Sequence, residues 1–388
     1  MFFSPVTICF FSAQYLPTVG GVERYTWNLA RRAVQAGHRA LVVTSALPGL
    51  PAQETDPDGI VVYRLPVWPL MGGRFPVLRP GGAMRALSRR LWAEPIDFCV
   101  VQTRMYAESV WAAKNARRRG IPAIVIDHST GYMPVGGGAV GLAGRLYEQL
   151  ACRAIRRTGP RFYGVSAAAC RWLAVFGITP AGTMPNAVDP AGLAEQCRLA
   201  PAKNWRKALG LAPDTLLVAY VGRLIAEKGA AELAQAAAAL PAVNGRPVAL
   251  AVAGDGPLLP VLRQKLPPNV FCPGALPYAE TLQLLTQADV YCLPTRYAEG
   301  FPTTLLEAAA CRCAIVSSRT AGTEELFPGE GYGLLLRDTA PDTIRQGLQT
   351  LLADDALRRR CADNAYRNLC DHFTWDAVFA KLMALARA

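Results

Sequence analysis

Short apolar runs, each bounded by polar loop residues and followed by a stretch of helical periodicity, recur along this chain in two series. The first opens with residues 6–12, Val-Thr-Ile-Cys-Phe-Phe-Ser, whose near-continuous apolar character suits a buried parallel strand. A polar loop with Pro17 leads to Gly20-Gly21 and then to a helix carrying Val22, Trp27, Leu29, Ala30, Ala33 and Val34 at helical spacing, closed by Gly37. Strands are expected next over 40–44, 59–65, 98–102, 123–127 and 162–166. Between them the pattern predicts a basic helix over 106–119, a mobile glycine-rich loop from Gly136 to Gly144 and an Arg-rich helix over 145–157. The second series predicts strands over 216–221, 248–253, 270–272 and 290–293, with helices over 230–240 and 279–287. Parallel strands need crossover helices, so each series closes into a doubly wound parallel sheet, giving two α/β domains that face one another. The boundary falls at Met184-Pro185-Asn186. Residues 1–187 form the first domain and 188–374 the second, with the Ala-, Pro- and Lys/Arg-rich segment 190–212 carrying the chain across.

At 388 residues, 52% hydrophobic and 18% charged, the chain is long enough for two separate cores. No apolar run approaches the roughly 18 residues of a membrane-spanning helix. The opening segment lacks a basic leader and a small-residue cleavage site, so it reads as a first strand and not as an export signal. Eleven Cys, with no C-x2-C pair and several in expected strands, suit buried reduced thiols in a cytoplasmic protein. Charge is lopsided: residues 1–185 hold 21 Lys and Arg against nine Asp and Glu, and the rest hold 20 against 20. A basic first half suits nucleic acid, anionic lipid headgroups or an anionic substrate, with plain solvated helix faces as the alternative. No nucleic-acid-binding motif supports the first, and no nucleic acid partner is expected.

Several stretches carry chemistry. From Glu299 to Glu307, Glu-Gly-Phe-Pro-Thr-Thr-Leu-Leu-Glu turns a loop into a helix, with Pro302 at the first helical position and Thr303 and Thr304 helping to satisfy free N–H groups. Both acids then lie near the positive end of a helix dipole, a place that attracts phosphate, and carboxylates there suit sugar hydroxyls flanking it. An ordinary helix start with two unrelated acids has the same spacing. In Gly222-Arg223-Leu224-Ile225-Ala226-Glu227-Lys228-Gly229, two cations follow a strand end and lead into a helix, a pairing that can grip a diphosphate. No P-loop frame is present. Gly20-Gly21 opens a helix where backbone N–H groups can approach phosphate, but the glycines come too late after the strand for a nicotinamide fingerprint. His128-Ser129 stands at a strand's carboxyl end, where core and site readings are equally open. Asp56-Pro57-Asp58-Gly59 reads as a turn, so no metal site is expected.

Taken together, Gly20-Gly21, His128-Ser129, Pro185-Asn186-Ala187-Val188-Asp189, Gly222-Arg223 with Glu227-Lys228-Gly229, Ala253-Gly254-Asp255-Gly256-Pro257, Glu299 to Glu307 and Gly322-Thr323-Glu324-Glu325 resemble family 4 of the nucleotide-sugar-dependent glycosyltransferases with the GT-B fold. The likeness spans nearly the whole chain in the same order. It implies two Rossmann-like domains with a nucleotide diphosphate sugar as donor in the cleft between them, and a retaining, metal-independent transfer without a cofactor. Arg223 and Lys228 would hold the diphosphate, helped by the backbone at Gly20-Gly21. Glu307 would bind the ribose diol and Glu299 the donor sugar, with Gly300, Phe301, Pro302 and Thr303 around them, Gly254 near the base and His128 beside the transferred sugar. The final helix, 375–388, would cross back onto the first domain. Pro-Asn-Ala stands where Asn-Gly is usual, and Gly-Thr where Gly-Gly is frequent, both small-for-small changes. By resemblance, Glu299-Gly300-Phe301-Pro302 favours a uridine diphosphate sugar over guanosine diphosphate mannose. The basic first domain suits a glycan or lipid-linked anionic acceptor, met by a peripheral enzyme at the inner face of the plasma membrane, in polysaccharide, lipopolysaccharide or glycolipid assembly. Two alternatives stand beside this: a nucleotide-sugar epimerase, or a non-catalytic nucleotide-sugar-binding subunit. Paired cations and paired acids stand against the second.

Overall fold

A computed structural model describes residues 4–18, 20–133, 138–297 and 300–387. The strands, in chain order, are β1 (Thr7–Phe11), β2 (Arg39–Ser45), β3 (Gln53–Thr55), β4 (Val61–Leu65), β5 (Val67–Leu70), β6 (Phe75–Leu78), β7 (Phe98–Gln102), β8 (Ala123–Asp127), β9 (Arg161–Gly164) and β10 (Gly182–Thr183). There follow β11 (Leu216–Val221), β12 (Val248–Ala253), β13 (Val270–Gly274), β14 (Val290–Leu293), β15 (Ala314–Ser318) and β16 (Leu334–Leu336). By packing, the chain divides into one unit of Met1–Asn186 with Trp375–Ala388 and another of Ala187–Thr374.

The first unit holds an eight-stranded sheet in the order β10-β9-β8-β7-β1-β2-β4-β3, parallel except for β3. The second holds six parallel strands in the order β13-β12-β11-β14-β15-β16. Both are α/β sheets of the doubly wound kind, each growing outward in two directions from its first strand. The runs that read as unbroken apolar strands are buried end to end: β1, β7 and β12 have no exposed position. Helices cover both faces, because a parallel strand with water on one side would expose half its apolar residues.

Three features differ from the sequence expectation. The described part of the stretch expected to be a loop up to Gly144 is helical: Gly138–Arg156 forms one helix whose inner positions Glu148, Ala151, Cys152 and Ile155 are buried. Burial of that face outweighs the helix cost of Gly141 and Gly144, about 1 kcal/mol each. Gly136 and Gly137 lie outside the described residues. The stretch read as a connecting segment, 190–212, belongs to the second unit and is partly helical. Asp189 caps Pro190–Leu199 by accepting from the Gly192 N–H at 3.1 Å, and Trp205 is 1% exposed. Arg206 holds Thr215 O, Gln287 O and the Asp289 carboxylate. Between β4 and β7 the chain also forms the antiparallel hairpin β5–β6 and a helix, Gly82–Leu91.

Helix Trp375–Ala386 packs on helix Gly21–Gln35 of the first unit, with Tyr25 and Trp375 rings 5.5 Å apart and Arg32 bonded to Asp376 at 3.1 Å. Where the chain enters and leaves the second unit, Val188 and Thr374 pair in parallel, and the Val188 N–H donates to Phe373 O at 2.9 Å.

Candidate functional site

The order of the second sheet reverses between β11 and β14, and open α/β sheets bind ligands outside the carboxyl ends of the strands at such a point. Two stretches leave there, 222–229 after β11 and 294–297 after β14, and they are fastened to each other. Arg296 N–H donates to Glu227 O at 2.7 Å and the Thr295 hydroxyl to the same carbonyl at 3.3 Å. Gly229, at φ +74°, comes so close to Pro294 that a Cβ would stand 2.0 Å from its carbonyl oxygen.

This fastening brings the two expected cations together. The Arg223 guanidinium carbon lies 5.2 Å and the Lys228 ammonium 5.5 Å from the centroid of the Tyr297 ring. Arg223 is exposed, while Lys228 is 8% exposed. Burial first and the Arg223 charge second pull the Lys228 pKa down to about 8. Two like charges held beside one ring, one of them half stripped of water, raise the local potential and favour an anion there. Tyr297 went unnoticed in the sequence, where a lone Tyr two residues before Glu299 carries no signal.

Gly254 opens the loop after β12, and its φ of +147° is accompanied by contact: a Cβ there would stand 1.8 Å from Gly222 O. Leu224 N–H donates to Asp255 O at 2.8 Å. Glycine at 254 is therefore required by the way the loop 254–256 supports the loop 222–224.

Helix Thr303–Ala310 starts one residue later than expected, with Pro302 in extended conformation at the N-cap. No side chain caps it, and the Thr304 hydroxyl accepts instead from Tyr291 OH at 2.9 Å. The expected capping by threonines is thus replaced by a tie to the sheet, and the dipole end lacks a side-chain cap. Glu307, one turn in, is 8% exposed and accepts from Tyr278 OH at 2.9 Å. Phe301 is 4% exposed, its ring 5.5 Å from that of Phe373 and pressed against Gly322, where a Cβ would come within 2.5 Å. The Phe301 ring is thus taken up by packing. Gly300 is half-buried and Thr303 exposed beside it; Glu299 lies outside the described residues.

In the first unit, Gly21 begins the helix Gly21–Gln35 with Gly20 at its N-cap. The Glu23 carboxylate, buried and with its pKa raised by desolvation, folds over Gly20: a Cβ on Gly20 would stand 2.3 Å from it. An acid thus already faces the helix start read as a phosphate approach. His128 follows β8, and its Nε2 lies 2.8 Å from Gln102 Oε1. The Tyr25 ring stands edge-on at 4.8 Å. Part of the residue reaches the surface, but desolvation of the ring pulls its pKa down to about 3. That leaves the imidazole uncharged at neutral pH, with Nε2 in a hydrogen bond with the Gln102 amide. Next to it lies a group that no sequence spacing announced: Arg104, wholly buried, bonds Asp127 at 2.6 Å, Glu148 at 2.9 Å and the Ser129 hydroxyl. Asp56 accepts from the N–H groups of Asp58 and Ile60 at 3.0 and 2.9 Å, a turn geometry.

Comparisons place these features among known proteins. Residues 19–191 match the family described as Glycosyltransferase Family 4, and residues 201–368 the family described as Glycosyl transferases group 1. A putative teichuronic acid biosynthesis glycosyltransferase, TuaC of Bacillus subtilis, is 33% identical over 168 residues, 43% of this chain and 41% of that protein. The chain spans less than half the length of the first curated relatives it matches. The phosphatidylinositol N-acetylglucosaminyltransferase GPI3 subunit of Saccharomyces cerevisiae is 23% identical over 85% of this chain and 71% of that protein. Among solved structures, Anabaena Alr3699/HepE in complex with UDP superposes with a TM-score of 0.72 at 18% identity, covering 98% of this chain and 99% of the other. That likeness shows the fold, two Rossmann-like units of the GT-B class.

Proposed function

The chain belongs to family 4 of the glycosyltransferases, and on that footing we propose that it is a retaining enzyme that moves a hexose-type sugar from a uridine diphosphate sugar to a glycan or lipid-linked acceptor. The observation that carries the donor half is the pair Arg223 and Lys228 on the ring of Tyr297, at the reversal point of the second sheet. Breaking the anomeric bond leaves negative charge on the diphosphate, and fixed cations there stabilise it more in the transition state than before it. The uncapped start of helix Thr303–Ala310 adds N–H groups to the same anion. Glu307, held by Tyr278, offers carboxylate oxygens to the ribose hydroxyls. Glu299 takes the donor sugar in this reading, Gly254 and its neighbours the base, and His128 the transferred sugar. Anabaena Alr3699/HepE has been crystallised in complex with UDP and with UDP-glucose, which supports the uridine choice. The teichuronic acid and phosphatidylinositol relatives act, by name, in glycan and lipid glycosylation, which supports the acceptor class.

The transfer conserves atoms without an outside reactant. The bond from the anomeric carbon to the phosphate oxygen breaks, the acceptor oxygen bonds that carbon from the same face, and the departing phosphate takes the acceptor proton. Fixed cations take the part a metal would play, so the reaction runs in EDTA. The test is a donor screen by thermal stabilisation, in which the true donor at about a hundred times its Kd adds roughly 2.7 kcal/mol. It is followed by nucleotide release with and without acceptor. Release that needs acceptor is expected. Interconversion of donors with no nucleotide released, or full dependence on added metal, overturns the reading.

A further inference from the structure

The first unit presents an apolar face to solvent. On the outer side of helix Gly138–Arg156, Leu142, Leu146 and Leu150 stand one turn apart and are 69%, 60% and 57% exposed. The same row runs on to Arg153 and Arg157, both exposed. The hairpin extends this face. Its register pairs Trp68 with Val77 and Leu70 with Phe75, which puts those four side chains on one side. Phe75 meets Tyr147 of the helix with ring centroids 5.4 Å apart, and Trp68 and Leu70 of β5 and Met71 of the turn are 47%, 51% and 48% exposed. Single exposed apolar residues are ordinary; a contiguous set spanning two elements marks a contact surface.

Charge selects what the surface meets. Arg74 and Arg79 flank the hairpin strand β6, as Arg153 and Arg157 extend the leucine row, and none has a carboxylate partner among the described residues. The acids of this unit are engaged elsewhere. Glu23, Glu108, Asp127 and Glu148 are buried, while Glu54, Asp58 and Glu94 pair with Arg64, Arg31 and Arg39. A second copy would set like charge against like, and a nucleic acid would leave the exposed leucines in water. A bilayer with anionic headgroups answers both features at once, taking the apolar side chains at the acyl boundary and the arginines among the phosphates. We propose that the hairpin β5–β6 and the outer row of helix Gly138–Arg156 dock the protein on an anionic lipid bilayer. This deepens the acceptor half of the reading above, since it names the surface on which a lipid-linked acceptor is met.

The test uses the full chain with vesicles of phosphatidylcholine alone and of phosphatidylcholine mixed with phosphatidylglycerol. Binding to the mixed vesicles is expected, weakening as salt is raised, with little to the neutral ones. The triple variant Leu142→Ser, Leu146→Ser, Leu150→Ser and the double variant Arg153→Glu, Arg157→Glu should each bind at least roughly tenfold more weakly. Both should keep the thermal stabilisation by nucleotide, which reads the second unit and shows the protein folded. Equal binding to both vesicles, binding to neither, or triple and double variants that bind like the parent overturns the proposal. So does self-association in sedimentation that the triple variant abolishes, because the face would then belong to a second copy. Loss of nucleotide stabilisation in the parent with vesicle binding intact would sink the donor assignment and leave this one standing.

Discussion

Gly254 faces the carbonyl oxygen of Gly222 at a separation that leaves no room for a side chain: a Cβ would stand 1.8 Å from it. Because loop 222–224 carries Arg223, the substitution Gly254→Ala should displace the cation pair and destabilise the unit. We expect a loss of about 2–4 kcal/mol from overpacking and backbone strain combined. Gly245, at φ +76° with nothing within 4 Å of its Cβ position, is the control. Gly245→Ala should cost about 1 kcal/mol, from conformation alone. Chemical denaturation of the two variants checks the difference.

Lys228 supplies a pH signature. Its folded pKa, about 8, lies below the ordinary 10.5, so the unfolded chain binds more protons between those values and stability rises with pH across that window. A diphosphate bound there, as proposed, would reverse the perturbation and draw the proton back. Titrating nucleotide near pH 9 in buffers of different ionisation enthalpy should show proton uptake, and Lys228→Met should abolish it. Lys228→Ala should lower turnover more than donor affinity, if the ammonium acts mainly on the leaving phosphate.

Arg104 is completely buried between Asp127 and Glu148, 0% exposed with its partners at 0% and 1%. Arg104→Met leaves two buried carboxylates without their cation and should cost about 3–5 kcal/mol at neutral pH. Desolvation already raises both acids, with Arg104 opposing it, so in the variant they protonate readily. The deficit should shrink as pH falls from 7 toward 5, measured by urea denaturation at each pH. A deficit constant with pH would point to packing against Phe176, whose ring centroid lies 4.1 Å from the guanidinium, as the main loss.

His128 works in the opposite direction. Its folded pKa is about 3 against an ordinary 6.5, so below pH 6.5 the unfolded chain takes up the proton first and the folded state loses stability as pH falls. The slope is at most about 1.4 kcal/mol per pH unit. His128→Gln should remove this slope while holding a polar group against Gln102, and the two acid denaturation curves should diverge only below pH 6.5.

Much of this was legible because burial writes itself into parallel strands. Phe98–Gln102, Ala123–Asp127, Leu216–Val221, Val248–Ala253 and Val290–Leu293 coincide with their expected spans, since each is a closed apolar run between polar residues. Helix Gly138–Arg156 was expected from 145 on, but its first turns were hidden because Gly138, Gly141 and Gly144 argue for a loop. Segment 190–212 looked like a connector because its holding contacts, such as Arg206 to Asp289, join residues 83 apart. The cations were found from their position after a strand. Tyr297, Tyr278 and the Arg104 cluster were not, because their partners meet only in the folded chain.

The pairing of Val188 with Thr374 makes the second unit a cassette. Its two severed ends lie side by side, so 187–374 can be expressed as one continuous piece, and Asn186 can be rejoined to Trp375 through a short spacer. Every described residue proposed to grip the uridine nucleotide in the second unit would travel with that piece. Its exchange between related chains would therefore move the proposed donor preference as a block and leave the part proposed to meet the acceptor untouched.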